Sequence, residues 1–400
     1  MDRYCLSALY YFHSILGLVP YVIDQQNELQ RSKYKRRWSL AIGCTTTVSV
    51  CYSFYTIQLQ DTFSFASFVD VLLIRSLVLV ELTIRYGTVV LCFYQILTNE
   101  AKLHHYVHRF ITIAQSLRCN RSYANVRLLM HILAAKMLVV DIGMCTLFAM
   151  NPGLKRPESN VLVYRTVNIY VVMMCAQITN LILLMLLVGS YIYAQINKQL
   201  ERTVQKLISF ETRGSYWSRR KVRRQQVCCD ASDTIDRLCT LHQELVEIVR
   251  ALVSIFQLPV LLINLNQFIV IVSRIYFVYI IRAQLEHRSD YISNKRFSNS
   301  IMYICFESLQ CFLLALGSSV IAQEARRPGT TLNEFVNAQL DTRTERSIEL
   351  FGLAALATDA RINVGGLYVL DLAYIFSLAT TVNMYLIVLV QFQLNIDKIH

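Results

Sequence analysis

Arg75, Glu81, Arg85, Lys136, Asp141, Arg274 and Glu307 all stand inside long apolar stretches, where an isolated charge is costly and is retained for a partner or a task. Arg274 and Glu307 lie at similar depth in two different stretches. They neutralise each other if those stretches adjoin; alternatively, one of them faces a wet ligand pocket with Tyr276, Tyr279, Tyr303 and Phe306 as aromatic walls. Arg75 reaches a similar depth and fits either arrangement. Glu81 and Arg85, four residues apart, share a helix face and satisfy one another. Lys136 and Asp141 are five apart, a spacing that gives them no close common face on an α-helix, and neither acquires a role from the sequence.

Catalytic and metal-binding chemistry finds no footing. His104 and His108 share a helix face beside His105, but no cysteine or carboxylate completes a ligand set, so an exposed helix is expected there. The 12 cysteines form no metal-like spacing. Cys44, Cys51, Cys92, Cys145, Cys175, Cys305 and Cys311 lie in apolar runs, where a thiol behaves as a small hydrophobe. Adjacent Cys228 and Cys229, in a charged connector, read as an inert pair or as an acylation site. No nucleophile motif, phosphate-binding glycine loop or catalytic carboxylate pair appears, so neither an enzyme nor a cofactor is expected.

The elements that position these residues are membrane spans. Of the 400 residues, 54% are hydrophobic and only 16% charged, and the mean hydropathy is +0.40. A soluble core cannot hide so much apolar surface, whereas lipid can. A hydrocarbon layer about 30 Å thick takes about 20 apolar residues per helix. Seven stretches qualify: Trp38 to Tyr55, Phe65 to Leu97, Leu128 to Met150, Val167 to Ile196, Leu252 to Ile281, Ile301 to Gln323 and Leu367 to Phe392. The fold expected is an all-α integral membrane protein of seven transmembrane helices. Leu6 to Val22 carries His13 and Ser14 and ends at Pro20, so it reads as an interfacial or buried cytoplasmic helix.

The connections fix the orientation. Of 39 Lys and Arg, 27 lie before the first stretch and in alternate connections after it, 8 lie on the opposite side, and the other 4 are inside the spans. Positive connections stay in the cytoplasm, so the N-terminus is cytoplasmic and, with an odd number of spans, the C-terminus is extracellular. A net charge of +12 is thereby explained without nucleic acid. The sequon Asn120-Arg121-Ser122 then faces the cytoplasm and stays unmodified.

The chain divides into a cytoplasmic N-terminal segment (1–37), spans one to four (38–196), a cytoplasmic helical connector (197–251), spans five and six (252–323), a second cytoplasmic connector with a helix (324–366), the last span (367–392) and a short extracellular tail (393–400). In the first connector, Leu238, Leu241, Leu245, Ile248 and Leu252 form a heptad-like seam. It either packs on its own chain, continuous with span five, or builds a cytoplasmic layer where subunits meet. The run Arg219 to Arg224 is a solvated, topology-enforcing cluster or a contact for anionic lipid.

Near the C-terminus the chain reads Gly365-Gly366-Leu367-Tyr368-Val369-Leu370-Asp371, and later Met384-Tyr385-Leu386-Ile387-Val388-Leu389-Val390-Gln391-Phe392. The second run resembles the signature of the insect gustatory receptor family: Thr-Tyr, five apolar residues, then Gln-Phe. Leu16-Gly17-Leu18-Val19-Pro20 is similar to that family's N-terminal segment. Length, span count and orientation agree with it across the whole chain, while Met384 stands where the family has Thr.

The resemblance implies a ligand-gated, non-selective cation channel subunit in the plasma membrane of sensory neurons, in the dendrites of gustatory cells. Its small-molecule ligand would be a tastant, bitter or another contact chemical, entering a pocket that opens outward among spans two to six. Four subunits, identical or mixed gustatory receptors, would surround one pore lined by the last helix and be held by a cytoplasmic layer. On that helix seven residues return to within about 20° of the start. Met384 and Gln391 therefore share a stripe with Ile387 and Val388, and with Thr380 a turn further in; Tyr385 points toward neighbouring helices. A G-protein-coupled seven-helix receptor is the alternative, opposed by the charge count. A transporter, the third reading, would bring glycine- and proline-broken paired helices.

Overall fold

The computed structural model describes residues 2–23, 29–59, 68–117, 131–149, 159–212, 219–285, 291–333 and 341–397. Within them the chain is built from ten helices: α1 (Asp2–Ile15), α2 (Lys33–Leu59), α3 (Phe68–Thr98), α4 (Glu100–Ser116), α5 (131–149), α6 (Ser159–Thr212), α7 (Arg219–Leu285), α8 (Tyr291–Leu332), α9 (Thr342–Ala357) and α10 (Leu372–Asp397). Two antiparallel hairpins interrupt an otherwise helical chain: β1 (Tyr21–Ile23) with β2 (Leu29–Arg31), and β3 (Ile362–Val364) with β4 (Tyr368–Leu370).

Among the described residues, five helices are long and apolar enough to cross a membrane: α3, α6, α7, α8 and α10. The other two expected spans fall in α2 and α5. α2 carries three consecutive polar residues, Thr45, Thr46 and Thr47. Their hydroxyls donate to the carbonyls of Ala41, Ile42 and Gly43 at 2.7–2.9 Å, which hides the polar groups that the sequence displays.

α6 and α7 run far beyond any bilayer. With 54 and 67 residues they extend about 80 and 100 Å. The first connector is therefore mostly the continuation of two spans rather than a separate domain. Its heptad-like seam packs on its own chain: Leu238, Leu245 and Ile248 are fully buried, Leu252 nearly so, and Leu241 lies against the same core. α9 closes this helical bundle, placing Phe351 against the His242 ring of α7. The Cys228 carbonyl accepts from Thr344, and the Cys228 side chain is buried beneath α9.

α1 buries His13 and Ser14 and leaves Tyr11, Phe12 and Ile15 exposed. Leu9 packs among Leu133, Leu183 and Leu187, and the chain turns away at Gly17, whose φ of 77° favours glycine. Lys35 then donates to Ser14 and Trp38 to the Ile15 carbonyl, fastening this segment to α2.

At the other end, residues 367–371 form a turn and β4 rather than the start of the last span, so α10 begins only at Leu372. Gly365 and Gly366, at φ 61° and 76°, make the tight hairpin turn between β3 and β4. Just before β3, Arg361 hydrogen-bonds Asp359 and holds its carboxyl below the usual carboxylate range.

Lys136 and Asp141 have a role after all. Residues Met137–Asp141 form a π-helical turn within α5. A π turn inserts an extra residue per turn, so side chains five apart come onto one face. Lys136 Nζ lies 2.7 Å from Asp141 Oδ1 and donates to Asn180 Oδ1 at 2.6 Å, while Asn180 Nδ2 donates to Asp141 Oδ2 at 2.6 Å. This closed, buried ring ties α5 to α6. Lys136→Met leaves Asp141 as an uncompensated buried charge and is expected to cost about 3–5 kcal/mol. The double variant Lys136→Met/Asp141→Leu should recover much of that loss, as read from melting of the purified protein.

Candidate ligand site and pore face

α3 places Glu81 and Arg85 one turn apart, and α7 and α8 bring Arg274 and Glu307 to the same level. Arg85 Nη2 sits 2.6 Å from Glu81 Oε1, so this i, i+4 pair satisfies itself as its spacing predicts. Arg274 and Glu307 do not pair directly. Arg274 Nη2 approaches the second Glu81 oxygen at 3.7 Å, and Glu307 lies 3.9 Å from Arg85. The expected two-residue bridge is replaced by a four-residue cluster with Glu81 between two guanidinium groups. A carboxylate has two oxygens and about four lone-pair directions, so one helix-facing partner does not exhaust it.

Tyr303 completes the cluster. Its hydroxyl accepts from Arg85 at 3.0 Å, and the Arg274 guanidinium stacks 4.9 Å from its ring centroid. Arg85, Glu81 and Glu307 are almost wholly buried, and two positive charges meet two negative ones.

Beside this cluster lies a cavity of about 20 Å³ between α3, α5, α6, α7 and α8. Arg85, Thr88, Asn266, Gln267, Glu307 and Gln310 supply its polar lining; Met144, Val172, Cys175, Ala176 and Ile263 supply the apolar part. Of the predicted pocket residues only Glu307 lines it. Tyr276 and Tyr303 are buried in packing, and Tyr279 is exposed. Phe306 seats its ring on the α5 backbone, where a Cβ at Gly143 would come within 2.8 Å of it. The Arg75 side chain lies outside the described residues.

Sequence reasoning missed Thr88, Asn266, Gln267 and Gln310, although Asn264, Asn266 and Gln267 are a visible polar interruption in the fifth span. Gln310 donates to Thr179 at 3.3 Å. Gln267 is 1% exposed, yet neither its amide oxygen nor its nitrogen has a hydrogen-bond partner. The same stretch of α7 reaches both β4 and the last helix: Asn264 donates to the Tyr368 hydroxyl at 2.7 Å, and Phe268 meets Tyr385 edge-on.

α10 is the least covered of the apolar helices. Only 6% of its apolar window is buried by the chain, against 61% for α6. Met384, Ile387 and Val388 are exposed, as are Thr380, Gln391 and Phe392, while Val382 on the opposite face is buried. Tyr385 turns its ring to Phe268 but keeps about half its surface open.

The family model for the 7tm chemosensory receptors matches residues 6–396. The chain belongs to that family. Among curated relatives of this chemosensory receptor, the gustatory receptor for bitter taste 66a of Drosophila melanogaster is 24% identical over 162 residues, 40% of this chain and 31% of the relative. The gustatory receptor for bitter taste 93a of the same species is 23% identical over 207 residues, 52% of this chain and 47% of that one. The chain thus spans about a third to a half of the length of these relatives. The fold matches that of the insect olfactory receptor OR5 from Machilis hrabei, with a TM-score of 0.63 and 12% identity over 97% of this chain and 98% of that one. The same receptor in complex with eugenol gives a TM-score of 0.60 over the same shares. The chain is therefore a multi-pass membrane receptor of the insect chemosensory type.

The cluster geometry makes Glu81 the member whose loss costs most. Glu81→Gln leaves Arg274 without its carboxylate and weakens Arg85, and is expected to reduce folded receptor more than Glu307→Gln does. The combined Glu81→Gln/Arg274→Gln variant should lose less than the sum of its parts. Surface biotinylation with size-exclusion profiles reads this, and strictly additive losses would remove the bridge.

Proposed function

We propose that this receptor is a ligand-gated, non-selective cation channel subunit that detects tastants, bitter or other contact chemicals, at the plasma membrane of gustatory neuron dendrites. The observation that carries the reading is the bare face of α10. A helix that is apolar along its length and covered on one side only needs either lipid or other copies on the other. The stripe from Thr380 through Met384, Ile387 and Val388 to Gln391 has polar ends around an apolar constriction, the composition of a gate that closes by dewetting. Four subunits, identical or mixed, placing this stripe around one axis would line a pore. Tyr385 and Phe392 flank it.

Seven spans, with α2 and α5 completing the five apolar helices, agree with the basic asymmetry and put the N-terminus inside and the C-terminus outside. The cavity beside Glu307 is the ligand site in this reading, among the second to sixth spans. It communicates with the gate through α7, whose residues 263–268 face the cavity on one side and touch Tyr368 and Tyr385 on the other.

An epitope after His400 is expected to label on intact cells and one before Met1 only after permeabilisation; the reverse result overturns the orientation. A hydroxyl at the Met384 level offers water a partner that a thioether does not. Met384→Thr should therefore raise basal cation current, and Gln391→Leu should lower evoked current at matched surface levels. Unchanged permeation in both variants would take this stripe out of the pore.

A further inference from the structure

The lining of the cavity restricts what can enter it. Three charge facts come first. Arg85 and Glu307 face the cavity, and Glu81 and Arg274 stand directly behind them, two positive and two negative groups in contact. Lys136 and Asp141 neutralise each other on the α5 side. Among the described residues, the buried charge around the cavity is thus balanced. A ligand bringing a net charge to this depth would be desolvated without a counter-charge, a cost of several kcal/mol.

The neutral polar groups then say what is missing. Thr88, Asn266, Gln267 and Gln310 reach the cavity from three different helices. Gln267 is the telling one. Its amide is buried, and both its donor and its acceptor lack partners; the Asn266 amide oxygen is likewise without one. A buried, unmade hydrogen bond costs about 1–3 kcal/mol, so an amide with both ends unmet is an expensive feature to keep in a lipid-embedded core. A guest larger than a water requires the apolar wall, which includes the unbranched and adaptable Met144, to give way. That matters because 20 Å³ has room for roughly one water.

We infer that this cavity takes a small neutral ligand with hydrogen-bond donor and acceptor groups on neighbouring atoms, docked on the Gln267 amide. Carboxamides and polyols share that chemistry; carboxylates, ammonium compounds and hydrocarbons do not. The inference rests on the cavity being the receptor's ligand site and adds the class of compound that it admits.

The test uses the full chain, purified in lipid nanodiscs, with radiolabelled probes that separate the alternatives. Malonamide, malonate and 1,3-diaminopropane have closely similar skeletons but are neutral, anionic and cationic; erythritol is the polyol arm. Saturable binding of malonamide or erythritol is expected, the one that binds telling amide from polyol, with the two charged probes binding at least tenfold more weakly. Gln267→Met, of similar length and without hydrogen bonds, should weaken that binding about tenfold or more, while its melting temperature stays level or rises. Saturable binding of no probe, preference for a charged probe, equal binding by Gln267→Met, or a lower melting temperature in that variant would each overturn the inference. Binding is read without conduction. A preparation that binds malonamide but carries no current would leave the ligand class standing and sink the channel reading.

Discussion

Glu81 holds a position on which the packing of α3, α7 and α8 depends. Water cannot solvate charges at this depth, so each guanidinium on α3 and α7 must find its carboxylate within the protein. One carboxylate serves both. It fixes α3 against α7 through Arg274, while Arg85 carries the connection on to Glu307 of α8 and Tyr303. The ring of Lys136, Asp141 and Asn180 does the same for α5 and α6. Together the two nets register five helices by charge and hydrogen bonding. Lipid is as apolar as leucine and gives helices no hydrophobic reason to associate, which makes such specific polar contacts valuable.

What was legible in the sequence follows from period and charge. Hydropathy located the long helices, and the seam of Leu238, Leu245 and Ile248 identified a packed face. The spacing of Glu81 and Arg85 gave their contact. Three things were not legible, each for a physical reason. The partner of Arg274 depends on which helix packs beside α7 at that level, and no local pattern encodes that. The Lys136–Asp141 contact requires a π turn, and every face assignment from sequence presumes 3.6 residues per turn. The strand Tyr368–Leu370 is apolar and adjoins an apolar helix, so hydropathy alone merges the two; the Gly365-Gly366 pair was the available signal for the break.

The candidate cavity was half-legible. Glu307 was found because a carboxylate in an apolar run is conspicuous. Gln267 was not, since a neutral amide in a span commonly serves as a helix-to-helix contact. Only the three-dimensional surroundings reveal that its amide meets nothing. Aromatic residues misled in the opposite sense: Tyr276 and Tyr303 looked like pocket walls but serve as packing and as a platform for guanidinium groups.

The continuity of α7 has a mechanical consequence. About 70 Å of unbroken helix separates Arg219 from Gln267 at the cavity. A stiff rod of that length behaves as a lever, so a tilt of about 2° at one end becomes a displacement of about 2 Å at the other. One residue limits this amplification. Pro259, eight residues before Gln267 and five before Asn264, removes a backbone hydrogen bond and makes the rod compliant at that point alone. The contacts that α7 makes beyond Pro259, with Tyr368 and Tyr385, are thereby mechanically separated from the half of the rod that begins at Arg219.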